Sequence, residues 1–294
     1  MDEGEWLAKR FETHRTHLRG VAYRMLGSLS EADDALQEAW LRLSRSDTSG
    51  VENLGGWLTT VVARVCLDML RSRKSRREEP FDAQVPEPSG SQQDGLDPEQ
   101  ETLLAESVGL ALLVVLEALA PAERVAFVLH DMFAVPFEDI APIVGRSPAA
   151  ARQLASRARR RVQGAGRDPD ANVTSRREVV DAFLAALRGA DMDGLLAVLD
   201  PEFVIRADST ALPPGAPREV RGARNWAKQA LAFSRGVRFA QPALVNGEVG
   251  VVVAPRGRLF RALSFKITEG KIVEIDVIAD PERLRQLDLA VLSD

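Results

Sequence analysis

The sequence predicts a mainly helical first part, built of two helical units of which the second is a helix-turn-helix, followed by a domain of α+β class. Three observations predict it. Apolar residues recur at helical spacing in successive segments as far as Val162. Beyond residue 200 the pattern changes to short β-like runs joined by Gly-containing turns. Polar stretches rich in Pro and Gly separate the periodic segments. The predicted domains are 1–78, 102–163 and 174–294, with linkers at 79–101 and 164–173.

The elements follow in order. Residues 5–26 place Trp6, Leu7, Phe11, Leu18, Val21, Ala22 and Met25 on one side of a helix. Ser30 is the expected cap of a second helix, EADDALQEAWLRLSR, whose early acids suit the positive end of its dipole. SDTSGVENLGG reads as a loop. A third helix is expected from Trp57, through VVARVCLDML, into a basic end. Residues 79–101 are too polar to bury a core. With this tether between them, the first and second units are expected to have no fixed separation. A helix over 102–119 precedes one opened by Pro121 and running to about Phe133. A short helix from Pro136 to Val144 is punctuated by Gly145; Ser147 caps and Pro148 opens the last helix of the unit. In the final domain helices at 174–189 and 192–199 precede strands at 202–207, 237–246, 248–254, 258–268 and 271–278, forming a curling antiparallel sheet. NGE at 246–248 and EGK at 269–271 read as hairpin turns. The tail DPERLRQLDLAVL can form a short helix with Leu284, Leu287 and Val291 on one side, packed on its own sheet or on another domain.

Composition narrows the function. Cys66 is the single cysteine, which excludes an internal disulfide, and its apolar helical setting makes it a core residue. The longest apolar run, Val108 to Leu116, is far short of the ~20 residues that span a bilayer. A cytoplasmic protein without a membrane partner is expected. The net charge of −5 hides strong segregation. Arg71–Arg77 holds five basic residues of seven, Glu78–Glu123 holds eleven acids and no Lys or Arg, and Arg146–Arg167 holds seven arginines and no acid. A partner meets this local field, not the sum.

Residues 121–162 have the pattern of a helix-turn-helix. Ala151, Leu154, Ala155, Ala158 and Val162 fall toward a core, leaving Arg152, Gln153, Ser156, Arg157, Arg159 and Arg160 on other faces. A helix in the major groove reads base edges with its first turns and clamps phosphates with arginine. A merely solvated helix would pair its cations with acids at i, i+4, and none are there. The DNA-contacting candidates here are Arg146, Ser147, Arg152, Gln153, Arg157 and Arg160. The earlier basic run adds Arg71, Arg73, Lys74, Arg76 and Arg77, so two modules can span separated elements of one DNA site.

A resemblance gathers these features. LRGVAYRMLGSLSEADDALQEAWLRLSR resembles region two of extracytoplasmic-function sigma factors, and GGWLTTVVARVCLDMLRSRKSR resembles the helix that follows it there. PAERVAFVLHDMFAVPFEDIAPIVGRSPAAARQLASRARRRV resembles region four. The resemblance covers about residues 6–163 and implies promoter-specific transcription initiation, with core RNA polymerase (β′ and β subunits) and the minus-ten and minus-thirty-five promoter elements as partners. It places polymerase docking on Asp34, Gln37, Glu38 and Trp40, and minus-ten recognition on Trp57, Thr60, Arg64, Asp68 and the basic run. Trp57 is open between a core residue and a base-stacking one. Val65 stands where many relatives carry Asn. The acidic linker is open between an inert tether and a nucleic-acid mimic.

Residues 174–290 resemble the SnoaL-like branch of the nuclear transport factor 2-like cone fold. VPEP (85–88) and DPERL (280–284) are similar to short motifs of the sigma subgroup that carries such a C-terminal domain, and DSTALPPGAPREVRG stands where those relatives are Gly-rich. This domain has no His, Cys or Tyr, so the chemistry of the cone-fold isomerases lacks its usual donors. Asp208 and Asp276 are its candidate pocket residues, each open between a structural carboxylate and a contact to a small ligand or regulator. No metal site, cofactor or catalytic residue is expected. Two function classes remain: an initiation factor whose fused domain modulates it, and a SnoaL-type isomerase or cyclase regulated by a DNA-binding region. A docking helix for polymerase serves only the first.

Overall fold

The computed structural model describes residues 3–46, 51, 53–78, 109–164, 171–212, 217–230 and 237–292. The acidic linker 79–101 with its VPEP segment, most of the second linker, and part of DSTALPPGAPREVRG lie outside the described residues. Two compact units result, one within 1–108 and 119–159, the other within 109–118 and 160–294.

In the first unit α1 (Glu3–Leu26), α2 (Leu29–Leu43) and α3 (Leu54–Glu78) form a bundle. Leu18, Tyr23, Met25, Leu29, Leu43, Leu58 and Leu67 fill it, fully buried, and Cys66 lies among them. Two helix starts differ from expectation. Gly27 ends α1 in the left-handed region (φ 75°), and α2 resumes at once, with Ser28 and not Ser30 at the cap position. The buried Leu29 explains the early start, and it leaves Glu31 as the acid of the first turn. The third helix begins three residues before Trp57, because Asn53 Oδ1 accepts the Gly56 N–H at 3.0 Å.

The chain continues through α4 (Leu110–Ala118), which belongs to the second unit, and then α5 (Pro121–Phe127), α6 (Phe137–Val144) and α7 (Pro148–Val162). The expected helix to Phe133 instead widens into a π-helical turn at Val128–Met132, closed by Ala134 at φ 54°. Gly145 (φ 68°) makes the helix-turn-helix corner as expected, and Ser147 Oγ accepts the Ala150 N–H at 3.3 Å. The two helical groups are not separate here: α5 and α6 pack on α3, and the π-helical turn packs on α1.

The second unit is α+β. Helices α8 (Ala171–Arg188), α9 (Met192–Val198) and α10 (Ala223–Ala230) cover one face of a seven-stranded sheet. Its strands are β1 (Leu199–Ala207), β2 (Glu219–Arg221), β3 (Ala240–Val245), β4 (Glu248–Val253), β5 (Arg261–Thr268), β6 (Lys271–Ile278) and β7 (Leu289–Ala290), in the order β2-β1-β6-β5-β4-β3-β7. The sheet is mixed, not antiparallel throughout. β3 to β6 form a meander through turns at Asn246–Gly247 and Glu269–Gly270, all four at positive φ, and β6 then meets β1 in parallel. Sequence periodicity had no means of showing β2 or β7, at three and two residues. It also passed over α10, whose Trp226 packs into an aromatic cluster with Phe183 and Phe203. The tail forms α11 (Pro281–Gln286), which buries none of its residues, and then β7, which pairs with β3 of its own sheet.

Candidate nucleic-acid interface

Alpha-helical spacing builds the first surface. In α2 the positions Leu29, Ala32, Ala35, Leu36, Ala39 and Leu43 turn into the bundle. That leaves Asp34, Gln37, Glu38 and Leu41 on one exposed stripe at i, i+3, i+4 and i+7. Leu41, 39% exposed, was not singled out from sequence, since a leucine at helical spacing reads as core. Glu38 is bridged by Arg42 at 2.9 Å and Asp33 by Arg19 at 2.8 Å, whereas among the described residues no cation pairs with Asp34. Trp40 is half-buried and meets Phe11 edge-on at 5.4 Å, so it braces the helix from behind this stripe.

The second surface runs along α3, where Trp57, Thr60, Arg64, Asp68 and Arg71 recur at steps of three and four. Arg64, Asp68 and Arg71 are exposed, while Trp57 is half-buried, between its two readings. Arg73 is turned away: its guanidinium bonds Glu31 of α2 and the Leu26 carbonyl that ends α1. The side chains of Lys74, Arg76 and Arg77 lie outside the described residues.

The third surface is α7. Ala151, Ala155, Ala158 and Val162 are buried; Arg152, Gln153, Arg157 and Arg160 are exposed, with Arg146 and Ser147 exposed just before the helix. Small alanines let the helix sit low on its neighbours, so its long cations stand clear. The arginines do find acids, but on other elements. Arg159 bonds Asp131 of the π-helical turn at 2.7 Å, and Arg157 reaches Glu123 of α5 only at 3.9 Å. The Arg152 guanidinium lies 5.3 Å from the Phe137 ring, which aims it without using its N–H donors.

In the second unit Asp208 has its oxygens occupied. Oδ2 accepts the N–H groups of Ala279 and Asp280 at 2.8 Å, Oδ1 accepts that of Ala211 at 3.1 Å, and Arg283 stands 3.7 Å away. Asp276 is half-buried on β6, in register with Arg206 and Ser264, on the opposite side of the strand from core residue Ile275. Burial, with Glu274 adding, raises its carboxyl above the usual range. The other sheet face is filled with apolar and aromatic side chains, Phe183, Phe203, Phe265 and Trp226 among them. The described residues hold no group of three or more metal-binding side chains, and no helix among them is long and apolar enough to cross a membrane.

Comparison with known proteins separates the two function classes. The Sigma-70 region 2 model matches residues 10–76, and the Sigma-70 region 4 model matches 109–162. Across 289 residues the chain is 42% identical to the ECF RNA polymerase sigma factor SigJ of Mycobacterium tuberculosis, covering 93% of this chain and 91% of that one. The chain belongs to the extracytoplasmic-function RNA polymerase sigma factors. The crystal structure of that SigJ aligns over 94% of this sigma factor and 97% of that chain, at 37% identity and a TM-score of 0.46. An NTF2-like protein of Cytophaga hutchinsonii aligns with 37% of this chain and 92% of its own, at 16% identity and a TM-score of 0.27. Family membership makes this sigma factor a transcription initiation protein, with core RNA polymerase and promoter DNA as partners. The enzyme alternative is not favoured.

Proposed function

We propose that this sigma factor docks on the β′ subunit of core polymerase through the outward stripe of α2, with Asp34, Gln37 and Glu38 as polar contacts and Leu41 as the apolar one. The observation that carries this reading is the stripe itself: every other apolar position of α2 faces its own bundle, yet Leu41 stands in solvent among carboxylates. Arg64 and Arg71 of α3 then face the minus-ten element. Arg152, Gln153 and Arg157 of α7 enter the major groove of the minus-thirty-five element, with Arg146, Ser147 and Arg160 on phosphates and the β subunit beside region 4. Arg73 is a positioning residue, not a DNA contact. The protein works in the cytoplasm, where polymerase and promoters are. Run-off transcription with purified core enzyme tests this. Asp34→Arg with Glu38→Arg should abolish co-purification with core and promoter-dependent product, with an unchanged circular dichroism spectrum. Undiminished co-purification would remove the docking assignment.

The C-terminal domain modulates initiation by holding region 4 at both ends. Helix α4, where the region 4 match begins, packs on β3 and β7, and its Ala111 N–H donates to Gln241 at 3.1 Å. At the other end the Val162 carbonyl of α7 accepts the Val291 N–H at 2.8 Å. Truncation after Ala279 removes β7 and that bond; truncation after Asn172 removes the domain. Each should change promoter-dependent transcription relative to the full chain. If neither does, the domain has no part in initiation. Asp208 is a structural carboxylate in this reading.

A further inference from the structure

Two arginines of α7 are held in opposite ways by the elements that precede it. At the π-helical turn Val128–Met132 successive side chains diverge. Asp131 bonds Arg159 at 2.7 Å, so that guanidinium spends N–H donors on a carboxylate. His130 instead stacks on the ring of Phe137, with centroids 3.9 Å apart and planes 28° from parallel. The imidazole is itself held: the Val135 carbonyl, 3.0 Å from Nδ1, can only accept, so Nδ1–H donates. Phe137 opens α6 and is buried, and the Arg152 guanidinium lies over its ring at 5.3 Å. Arg152 is exposed, and among the described residues no carboxylate pairs with it. A ring face attracts a guanidinium through its quadrupole and takes none of its N–H donors. The two-donor edge that pairs with a base therefore stays free. Restraint matters as much as freedom. An arginine that meets the wrong base and can swing to the nearest phosphate recovers part of the lost energy, which blunts discrimination.

We propose that Phe137, backed by His130, is a positioning residue for promoter reading: it holds Arg152 toward one base pair of the minus-thirty-five element and away from phosphate. The proposal rests on α7 as the recognition helix and adds what sets its selectivity. The buried ring fixes where the guanidinium sits, and the stacked imidazole, tied to the Val135 carbonyl, fixes the ring. Ordering of Arg152 then precedes binding, and its cost is not subtracted from the base contact.

The test uses holoenzyme assembled from core polymerase and the full-length chain. Its DNA is an upstream element selected by the wild type from a randomised pool, together with each single-base substitution of that element. The readout is the affinity ratio between selected and substituted DNA, in which any misfolded fraction of a variant cancels. Arg152→Ala should relax one base pair about tenfold, within the range of a two-donor base contact. Phe137→Leu, which keeps an apolar side chain at the buried position, should relax the same base pair several-fold and leave the others unchanged. On DNA substituted at that pair its salt slope should steepen by up to about 0.9, as the released Arg152 takes a phosphate. His130→Ala should act in the same direction more weakly, and Phe137→Tyr should keep wild-type discrimination. In an Arg152→Ala background Phe137→Leu should not change the ratio further. Relaxation by Arg152→Ala with none by Phe137→Leu, or losses from the two that simply multiply, would overturn the positioning role and leave α7 as the reader. If Arg152→Ala relaxes no base pair, the base-reading role of Arg152 falls, and the positioning role with it.

Discussion

Helices α2 and α7 are alike in construction and opposite in charge. Each has fifteen residues and buries alanines at helical spacing, Ala32, Ala35 and Ala39 in one, Ala151, Ala155 and Ala158 in the other. In α2 four acids precede a single base, Arg42, and part of that charge is met locally, by Arg42 on Glu38 within the helix and by Arg19 on Asp33 from α1. In α7 there is no acid, so each arginine either reaches another element or stays free for a partner. On the proposed roles, the contrast is that between a surface suited to a protein and one suited to a polyanion. A protein partner needs shape, a few charges and an apolar anchor such as Leu41, with most charges already paired. A phosphate backbone rewards every unpaired cation by counterion release.

The sharpest break between the two helices is a crossed experiment. Arg152→Ala with Gln153→Ala and Arg157→Ala should leave core co-purification intact and lower promoter affinity of the holoenzyme at least a hundredfold. Each lost base contact costs about 1–3 kcal/mol, and each lost phosphate contact lowers the salt slope by about 0.9. The docking variant of α2 should instead lose core co-purification itself, and with it the promoter-dependent product. If the triple variant binds promoter as the wild type does, α7 is not the recognition helix.

How far the sequence disclosed these surfaces follows from the same contrast. The role proposed for α7 was legible in its composition, because an acid-free arginine helix after a Gly corner has few other uses. That proposed for α2 was legible only through resemblance, since an exposed acidic helix face reads equally well as a solvated one. Leu41 was hidden because periodicity cannot distinguish an outward leucine from an inward one. The intramolecular bonds of Arg73 were hidden for a related reason: a basic run gives no sign of which cation the fold engages, and the Leu26 carbonyl and Glu31 that bond it lie far back in the chain. The packing of α5 and α6 on α3, and of α4 on the sheet, depends on tertiary burial that no local pattern encodes. The parallel register of β1 on β6 likewise emerges only after the intervening meander is in place.

The two pocket candidates extend the comparison to the second unit. Asp208 binds three backbone N–H groups, so Asp208→Ala strands them, and the C-terminal unit should lose about 2–3 kcal/mol of stability. Asp276→Ala breaks no such set and should cost less. Thermal unfolding of the two variants checks this; equal losses would show that Asp208 is not the anchor. Core binding through α2 should be untouched by either.

Burial sets a pH dependence in the first unit. The Cys66 thiol is pushed up to about 12 from 9.0 by desolvation. The unfolded thiol ionises first, so Cys66 contributes a constant term below pH 9 and loses it progressively as pH rises toward 12. By pH 10 the loss is about 1 kcal/mol. Unfolding by urea at pH 8 and pH 10 should show a smaller decrease for Cys66→Ala than for the wild type. Equal decreases would place the thiol in contact with water. A thiol reagent at neutral pH should react with Cys66 only as fast as the bundle opens.

The smallest effect discriminates most finely between the two helices. Arg42→Ala removes an exposed i, i+4 partner of Glu38, a pair worth about 0.3–0.5 kcal/mol to the helix. Glu123→Ala removes the distant partner of Arg157, whose separation of 3.9 Å makes it weaker still. Neither change should be visible in a melting curve beyond about a degree. Their effects on binding should differ in kind. Freeing Glu38 adds a carboxylate to a docking face that already presents Asp34, so core affinity should rise no more than about twofold. Freeing Arg157 adds an unpaired cation on the DNA face, so promoter affinity should rise modestly and the slope against salt should steepen, by at most one phosphate's worth. Promoter titrations at several salt concentrations read both. A steeper slope from Arg42→Ala, or an unchanged slope from Glu123→Ala with tighter core binding, would exchange the roles given to α2 and α7.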